Sequence, residues 1–124
     1  MQSNFRELEA WQVSMDLAMF VYQLTAIFPE REQQGLTSQI RNSLLSIPSR
    51  IAEGAGQDTD TAFAQFLNLA QCSTFELETQ LLLAQKMNFA PFESVERAIS
   101  LLTEVQKMVY GLKKSLLKNK NSLK

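Results

Sequence analysis

The chain has 124 residues and a formal net charge of −1, and its length is typical of a single domain. Leu, Ala, Gln, Glu, Lys and Met are frequent, whereas only four glycines and three prolines occur, so the composition predicts an all-α protein. Because the chain has no histidine and one cysteine, Cys72, it lacks the residues for a Ser-His or Cys-His nucleophile pair, an intrachain disulfide or a cysteine zinc site.

The first predicted helix extends from Asn4 to Phe28, and Pro29 ends it. Apolar residues recur along it at steps of three and four, which predicts one buried face. That face comprises Leu8, Trp11, Met15, Ala18, Met19 and Tyr22. A second apolar row on the opposite side of the same helix comprises Leu17, Phe20, Val21, Leu24, Ile27 and Phe28.

A second helix is predicted after a polar connection, with Thr37 or Ser38 as its N-cap. Its apolar stripe comprises Ile40, Leu44, Ile47 and Ile51. Pro48 lies inside this pattern, where it removes an amide donor and crowds the preceding turn, so we expect a kink. Gly54 and Gly56 are predicted to end the helix.

The third helix is predicted to begin at a cap formed by Asp58, Thr59 or Asp60 and to end near Met87. Its core face comprises Phe63, Phe66, Leu67, Ala70, Leu77, Leu81 and Ala84. Asn88 suits that helix end, and Pro91 suits the first turn of a fourth helix. The fourth stripe comprises Val95, Ala98, Ile99, Leu102, Val105, Val109, Leu112 and Leu116.

The short connections between successive helices predict an antiparallel up-down-up-down four-helix bundle. We assign the bundle to residues 1–118 and a lysine-rich C-terminal tail to residues 119–124. No apolar run approaches the roughly 20 residues that span a bilayer, and no basic segment followed by an apolar one opens the chain. We therefore expect a cytoplasmic protein without membrane contact.

Helices one and three carry more apolar surface than a single core can cover. Beyond its core face, helix three also places Leu69, Cys72, Phe75, Leu82 and Leu83 on its remaining surface. Large uncovered apolar patches are unusual in monomers, so the second rows predict self-association, although periodicity does not set the number of subunits. The predicted oligomer interface comprises Leu17, Phe20, Leu24, Leu69, Phe75 and Leu82.

Charge is distributed unevenly along the chain. Six lysines follow the last acid, Glu104, whereas the first 106 residues carry 6 basic and 13 acidic side chains. This asymmetry indicates either a solvated helix end, whose lysines suit the helix dipole, or a basic surface that contacts nucleic acid. The candidate phosphate contacts are Arg41, Arg50, Lys113, Lys114 and Lys118.

The sequence offers little for catalysis, cofactor binding or metal binding. A carboxylate pair formed by Glu53 and Glu76 could do acid–base work if packing brought the two together. Acids between helices usually pair with arginine, however, and Arg41 and Arg50 are available for that. We therefore predict no catalytic residue, cofactor, metal ligand or small-molecule substrate.

Several segments form a distinctive pattern. They are Gly35-Leu36, Gln39-Ile40-Arg41, the run from Ser46-Ile47-Pro48 through Ile51-Ala52-Glu53-Gly54, Phe63 with Phe66-Leu67, and Ser73 followed by Glu76-Leu77-Glu78-Thr79. The pattern resembles the signature of a bacterial four-helix bundle family, the proteins encoded in intervening sequences of large-subunit ribosomal RNA genes. Its structural motif residues here would be Pro48, Glu53, Gly54 and Glu76.

The resemblance implies a homopentameric ring of bundles. The family also includes the accessory variability determinant of diversity-generating retroelements, a basic relative that partners a reverse transcriptase and nucleic acid. The chain departs from the family at Arg50, where Asn is common, and at residues 57–60, which are acidic rather than basic or serine-rich.

Three functional hypotheses follow. The first is a non-enzymatic homo-oligomeric scaffold that binds RNA or an RNA-handling protein such as a reverse transcriptase. The second is a protein-protein adaptor without nucleic-acid binding. The third is an enzyme that uses the two carboxylates.

Overall fold

The computed structural model describes the backbone of residues 4–122 and the side chains of residues 4–118. Its long helices are α1 (Glu9–Thr25), α2 (Leu36–Ala55), α3 (Asp60–Lys86) and α4 (Phe92–Ser122), and the described residues contain no strand. Short 3₁₀ turns at Phe5–Glu7 and Glu30–Glu32 precede α1 and α2. The prediction of an all-α fold with four helices is confirmed.

The capping residues predicted from the sequence are correct for α3, whereas those predicted for the start of α2 are wrong. Thr59 caps α3, because its Oγ1 accepts a hydrogen bond from the Ala62 amide at 3.1 Å, and Asn88 adopts the left-handed conformation after that helix. Helix α2 begins at Leu36, so Thr37 and Ser38 lie inside it and cap nothing. The N-cap residue is Gly35, and the free amide of Leu36 donates to Oε1 of Glu32 in the preceding 3₁₀ turn at 3.3 Å.

Gly54 lies in the last turn of α2, so the predicted helix end at Gly54 and Gly56 is confirmed, but Gly54 also has a packing role that was not predicted. A Cβ at this position would lie 2.8 Å from Phe63 Cδ1 and 2.9 Å from Phe66 Cβ. Only glycine therefore allows α2 and α3 to approach this closely. The helix ends one residue later, at Ala55, and Gly56 forms its C-cap.

The core lies between the four helices. All four predicted stripe residues of α2 are fully buried, and the predicted stripes of α3 and α4 are buried or half-buried along their length. α2 continues without a break across the buried Pro48, and the kink stays a prediction. Helix α4 extends to Ser122, so residues 119–122 of the predicted tail are helical, whereas residues 123–124 lie outside the described part.

The buried face of α1 is rotated from the one predicted. Ala18 is buried and Leu8 and Trp11 pack half-buried against the core as predicted, whereas Met15, Met19 and Tyr22 are exposed. The true core face comprises Ala10, Ser14, Leu17, Ala18, Val21, Leu24 and Thr25. Its two hydroxyls are satisfied within the helix, since Ser14 Oγ donates to the Trp11 carbonyl and Thr25 Oγ1 donates to the Tyr22 carbonyl. Leu17 is 0% exposed and Leu24 is 7% exposed, so neither is available as an interface residue of the folded chain.

Polar contacts join the helices in a consistent order. Ser43 Oγ donates to Glu76 Oε1 at 2.7 Å, and Ser46 Oγ lies 2.5 Å from Ser73 Oγ, so residue numbers fall along α3 as they rise along α2. The same order holds between α3 and α4, where Gln85 Nε2 donates to Glu96 and Lys113 Nζ donates to Asn68.

Candidate functional site

The side chains that could act on a partner lie on three surfaces of the bundle. The α1–α2 groove is an open cavity of about 380 Å³ lined by Met15, Ala18, Met19, Tyr22, Gln23 and Leu45. The α3 outer face comprises Leu69, Cys72, Phe75, Leu82 and Leu83. The α4 lysine segment comprises Lys107, Tyr110, Lys113, Lys114 and Lys118.

The α1–α2 groove contains much of the apolar row that the sequence assigned to the core. Met15, Met19 and Tyr22 are exposed, because α1 turns its other row inward. Both rows have the spacing of a buried helical face, so periodicity alone could not choose between them. The groove was therefore missed, although the two apolar rows on α1 already indicated that one of them is uncovered.

Arg41 packs on the ring of Tyr22, which lines this groove, and its hydrogen bonds are made to α1. Its guanidinium lies 4.0 Å from the centroid of the Tyr22 ring, Nε donates to Thr25 Oγ1 at 3.0 Å, and Nη2 donates to the Tyr22 carbonyl at 3.1 Å. These contacts satisfy a carbonyl near the end of α1 and hold α2 against it. Arg41 thus has a structural role that the sequence could not reveal, because its partners lie 16 and 19 residues away.

The α3 outer face contains three of the six predicted interface residues. Leu69, Phe75 and Leu82 are all exposed, with Phe75 54% exposed. Leu83 and the free Cys72 are also exposed on this helix. Of the remaining predicted residues, Phe20 is half-buried beneath Arg97, whose guanidinium lies 5.4 Å from the ring centroid.

The structure separates the two predicted carboxylates. Glu76 accepts a hydrogen bond from Ser43, while Glu53 pairs with Arg50 at 3.3 Å. Ser43 and Glu53 are ten residues apart on α2, which corresponds to about 15 Å along the helix axis. Glu53 and Glu76 therefore do not form an acid–base pair, and the carboxylate-enzyme hypothesis loses its site.

The five predicted phosphate-binding cations do not share one surface. Arg41 faces α1, whereas Arg50 lines a polar groove between α2 and α3 with Asn42, Ser46 and Cys72. Lys113, Lys114 and Lys118 lie together near the C-terminal end of α4, where Lys113 Nζ donates to Asn68 Oδ1 at 3.3 Å. The lysines thus form a basic surface by themselves.

Comparison with known families identifies the group of proteins to which the chain is related. The family model described as 23S rRNA-intervening sequence protein matches residues 6–111. The chain belongs to this family. A comparison with curated proteins found no match.

In this 23S rRNA-intervening sequence family member, the matched span covers α1, α2, α3 and two-thirds of α4. It includes the motif between Gly35 and Gly54 on which the resemblance rested, so that prediction is confirmed. The match ends at Gly111, and Lys113, Lys114 and Lys118 follow it. Three lysines of the α4 lysine segment are therefore outside the part of this intervening-sequence protein that the family pattern covers.

The described part of this intervening-sequence protein contains neither a membrane-spanning helix nor a cluster of metal ligands. No helix between residues 4 and 122 combines the length and the apolar character needed to cross a membrane. No three Cys, Asp or Glu side chains in the described part of the chain come together as a group able to hold a metal ion.

Proposed function

We propose that the protein is a non-enzymatic helical scaffold that assembles head to tail with copies of itself and binds nucleic acid through the α4 lysine segment. The observation that carries the proposal is the presence of two separate uncovered apolar surfaces, the α1–α2 groove and the α3 outer face, on one small bundle. Surfaces of this kind mark sites of protein association rather than solvated faces.

The positions of these surfaces favour a head-to-tail contact. The groove lies between α1 and α2, whereas the other surface lies on α3, so the α3 outer face of one copy can fill the groove of the next. Repetition of such a contact closes into a ring when the rotation between copies allows it. The flexible Met15 and Met19 side chains suit a groove that receives the bulky Leu82 and Phe75. The antiparallel order of the helices, supported by the polar pairs along α2, α3 and α4, belongs to the same proposal.

The subunit number that we propose is five, on the basis of the family resemblance. A closed ring would bring one lysine segment from each copy close to its neighbours. Several weak phosphate contacts would then act together, which raises the affinity of an otherwise acidic chain for a polyanion. Because contacts to phosphate carry no sequence information, the scaffold would bind RNA without reading its bases.

The test is the solution mass measured by light scattering, with and without RNA, at low and at moderate salt. We expect a particle of about five subunits that retains RNA chiefly at low salt. Phe75→Glu places a charge on the α3 outer face and should release single chains that remain helical by circular dichroism. Ser100→Glu, on an exposed position of α4, is the matched control and should leave the mass unchanged. A single-chain mass for the unmodified protein would contradict the proposed assembly.

A second function is favoured by the shape of the α1–α2 groove. An open apolar groove between two helices can receive an amphipathic helix of another protein, such as an RNA-handling enzyme or reverse transcriptase. This adaptor would form an assembly indifferent to RNA and a nuclease-resistant complex with its protein partner. The same light-scattering experiment separates it from the scaffold that binds nucleic acid.

A further inference from the structure

The α4 lysine segment contains an aromatic ring that the fold does not use. Tyr110 is 53% exposed, although it lies on a helix whose neighbouring Val109 is fully buried. The Nζ atoms of Lys113 and Lys114 lie 5.8 and 6.0 Å from the centroid of its ring. An exposed ring with two cations close to it is thus held at the surface by the helix itself.

The surrounding charges are of one sign along this part of α4. No acid occurs between Val105 and Lys118, and Lys107, Lys114 and Lys118 are all exposed. Their spacings of seven and four residues place them in one row on the helix. Lys113 is fixed beside this row, because its Nζ donates to Asn68 Oδ1 on α3.

Gly111 adds a separate observation within the same row. A Cβ at this position would meet no atom within 4 Å, so the packing of the single chain does not require glycine. Glycine is among the least favourable residues inside a helix. Its presence leaves bare backbone beside Tyr110, where another molecule can approach closely. The groove on the α1 side of Gly111 is lined by Glu9, whose carboxylate repels an anion there.

From this arrangement we infer that Tyr110, together with Lys107, Lys114 and Lys118, forms a stacking site for an unpaired nucleic-acid strand. A base stacks on the open ring of Tyr110, while the lysine row contacts the phosphates on either side of it. Bases within a duplex are stacked on one another and do not offer a free face. The site therefore selects single strands, whereas lysines alone would bind single strands and duplexes through the same phosphate charge.

This inference rests on the proposed function, the binding of nucleic acid. It specifies that the bound strand is single and that the Tyr110 ring is the group that selects it. The probes are a labelled oligouridine, an oligothymidine of equal length and an RNA duplex, with affinity measured by fluorescence anisotropy over a range of salt concentrations. Both single strands should bind within a few-fold of each other, because stacking tolerates any base and either sugar.

Tyr110→Leu should weaken binding of both single strands about 5- to 150-fold, the range expected for the loss of one stacked base. Duplex affinity and the slope of affinity against salt should not change, because no cation is removed. Tyr110→Phe keeps the ring and should bind like the unmodified protein. Phe92→Leu removes a ring that is 64% exposed at the other end of α4 and is the matched control, with no expected effect.

A separate variant tests the lysine row, so that the proposed nucleic-acid binding and the proposed stacking site can be contradicted independently. Lys114→Gln should weaken all three probes and reduce the salt slope by about 0.7 for single strands. If Lys114→Gln has this effect and Tyr110→Leu has none, the proposed nucleic-acid binding stands and the stacking site is wrong. If no probe binds the unmodified protein at low salt, both are wrong. Equal losses with Tyr110→Leu and Phe92→Leu would also contradict the stacking site.

Discussion

Helix α2 contacts α3 on one side and α1 on the other, and the two seams differ in how closely the helices approach. Against α3, Gly54 lets the backbone lie next to Phe63 and Phe66, and Ser43 and Ser46 reach across to polar partners. Against α1, an open groove lies between exposed side chains of α1 and Leu45 of α2. The long side chain of Arg41 reaches across from α2 to the Tyr22 carbonyl of α1. The α2–α3 seam, called the closed seam below, is closed at Gly54 and has a polar groove beside Ser43 and Ser46. The α1–α2 seam, called the open seam, has an apolar groove that leaves surface for a partner.

The largest expected difference between the seams is in the cost of removing an apolar side chain. Ile47 is fully buried, so Ile47→Ala should lower the free energy of unfolding by about 2–5 kcal/mol through lost burial and a residual cavity. Leu45 lies two residues away but faces the groove, and Leu45→Ala should cost about 1 kcal/mol or less in single chains. Urea unfolding followed by circular dichroism measures both values. Equal costs would mean that the groove is as tightly packed as the core.

The close approach of α2 and α3 at Gly54 can be tested against Gly111, a glycine of α4 that has no neighbour within 4 Å of a Cβ. Gly54→Ala forces a Cβ against the side chains of Phe63 and Phe66 and should lower the free energy of unfolding by about 1–3 kcal/mol. Gly111→Ala meets no neighbour and should raise it by about 0.5–1 kcal/mol, because alanine favours the helix. The same unfolding experiment checks both signs. A stabilised Gly54→Ala protein would show that the closed seam can relax.

The smallest expected effect is the loss of the arginine that spans the open seam. Arg41→Met keeps most of the apolar stem but removes the hydrogen bonds to Thr25 and to the Tyr22 carbonyl, so we expect a loss of about 1–2 kcal/mol. Arg50→Met serves as the control, because Arg50 contributes only a partly exposed pair with Glu53. Such pairs contribute about 0–1 kcal/mol. If the two variants unfold alike, Arg41 does not hold α1 in place.

The sequence was a reliable guide where a helix carries one apolar row. Helix α2 has a single row, and every residue of that row is buried as predicted. Helix α1 has two rows with the same spacing, and its true core face includes Ser14 and Thr25, whose hydroxyls make that face look less apolar than it is. Burial of those hydroxyls depends on hydrogen bonds to the helix backbone, which hydropathy does not record.

The candidate surfaces follow the same division. Leu69, Phe75 and Leu82 were predicted correctly as uncovered, because α3 has one clear core face and excess apolar residues beside it. The role of Arg41 was missed, since its ring and carbonyl partners come from another helix. A local pattern can indicate which residues lack a partner within their own helix, but tertiary packing decides which of them gain one elsewhere.

The position of Cys72 has a practical consequence. It is the single cysteine of the chain, and its thiol is exposed in the middle of the α3 outer face. A thiol reagent therefore modifies each chain once, at the surface that would be covered in an assembly. The rate of that modification therefore measures association. It is fast while the α3 outer face is in contact with water, and it falls in proportion to the fraction of chains whose α3 outer face is covered by another chain.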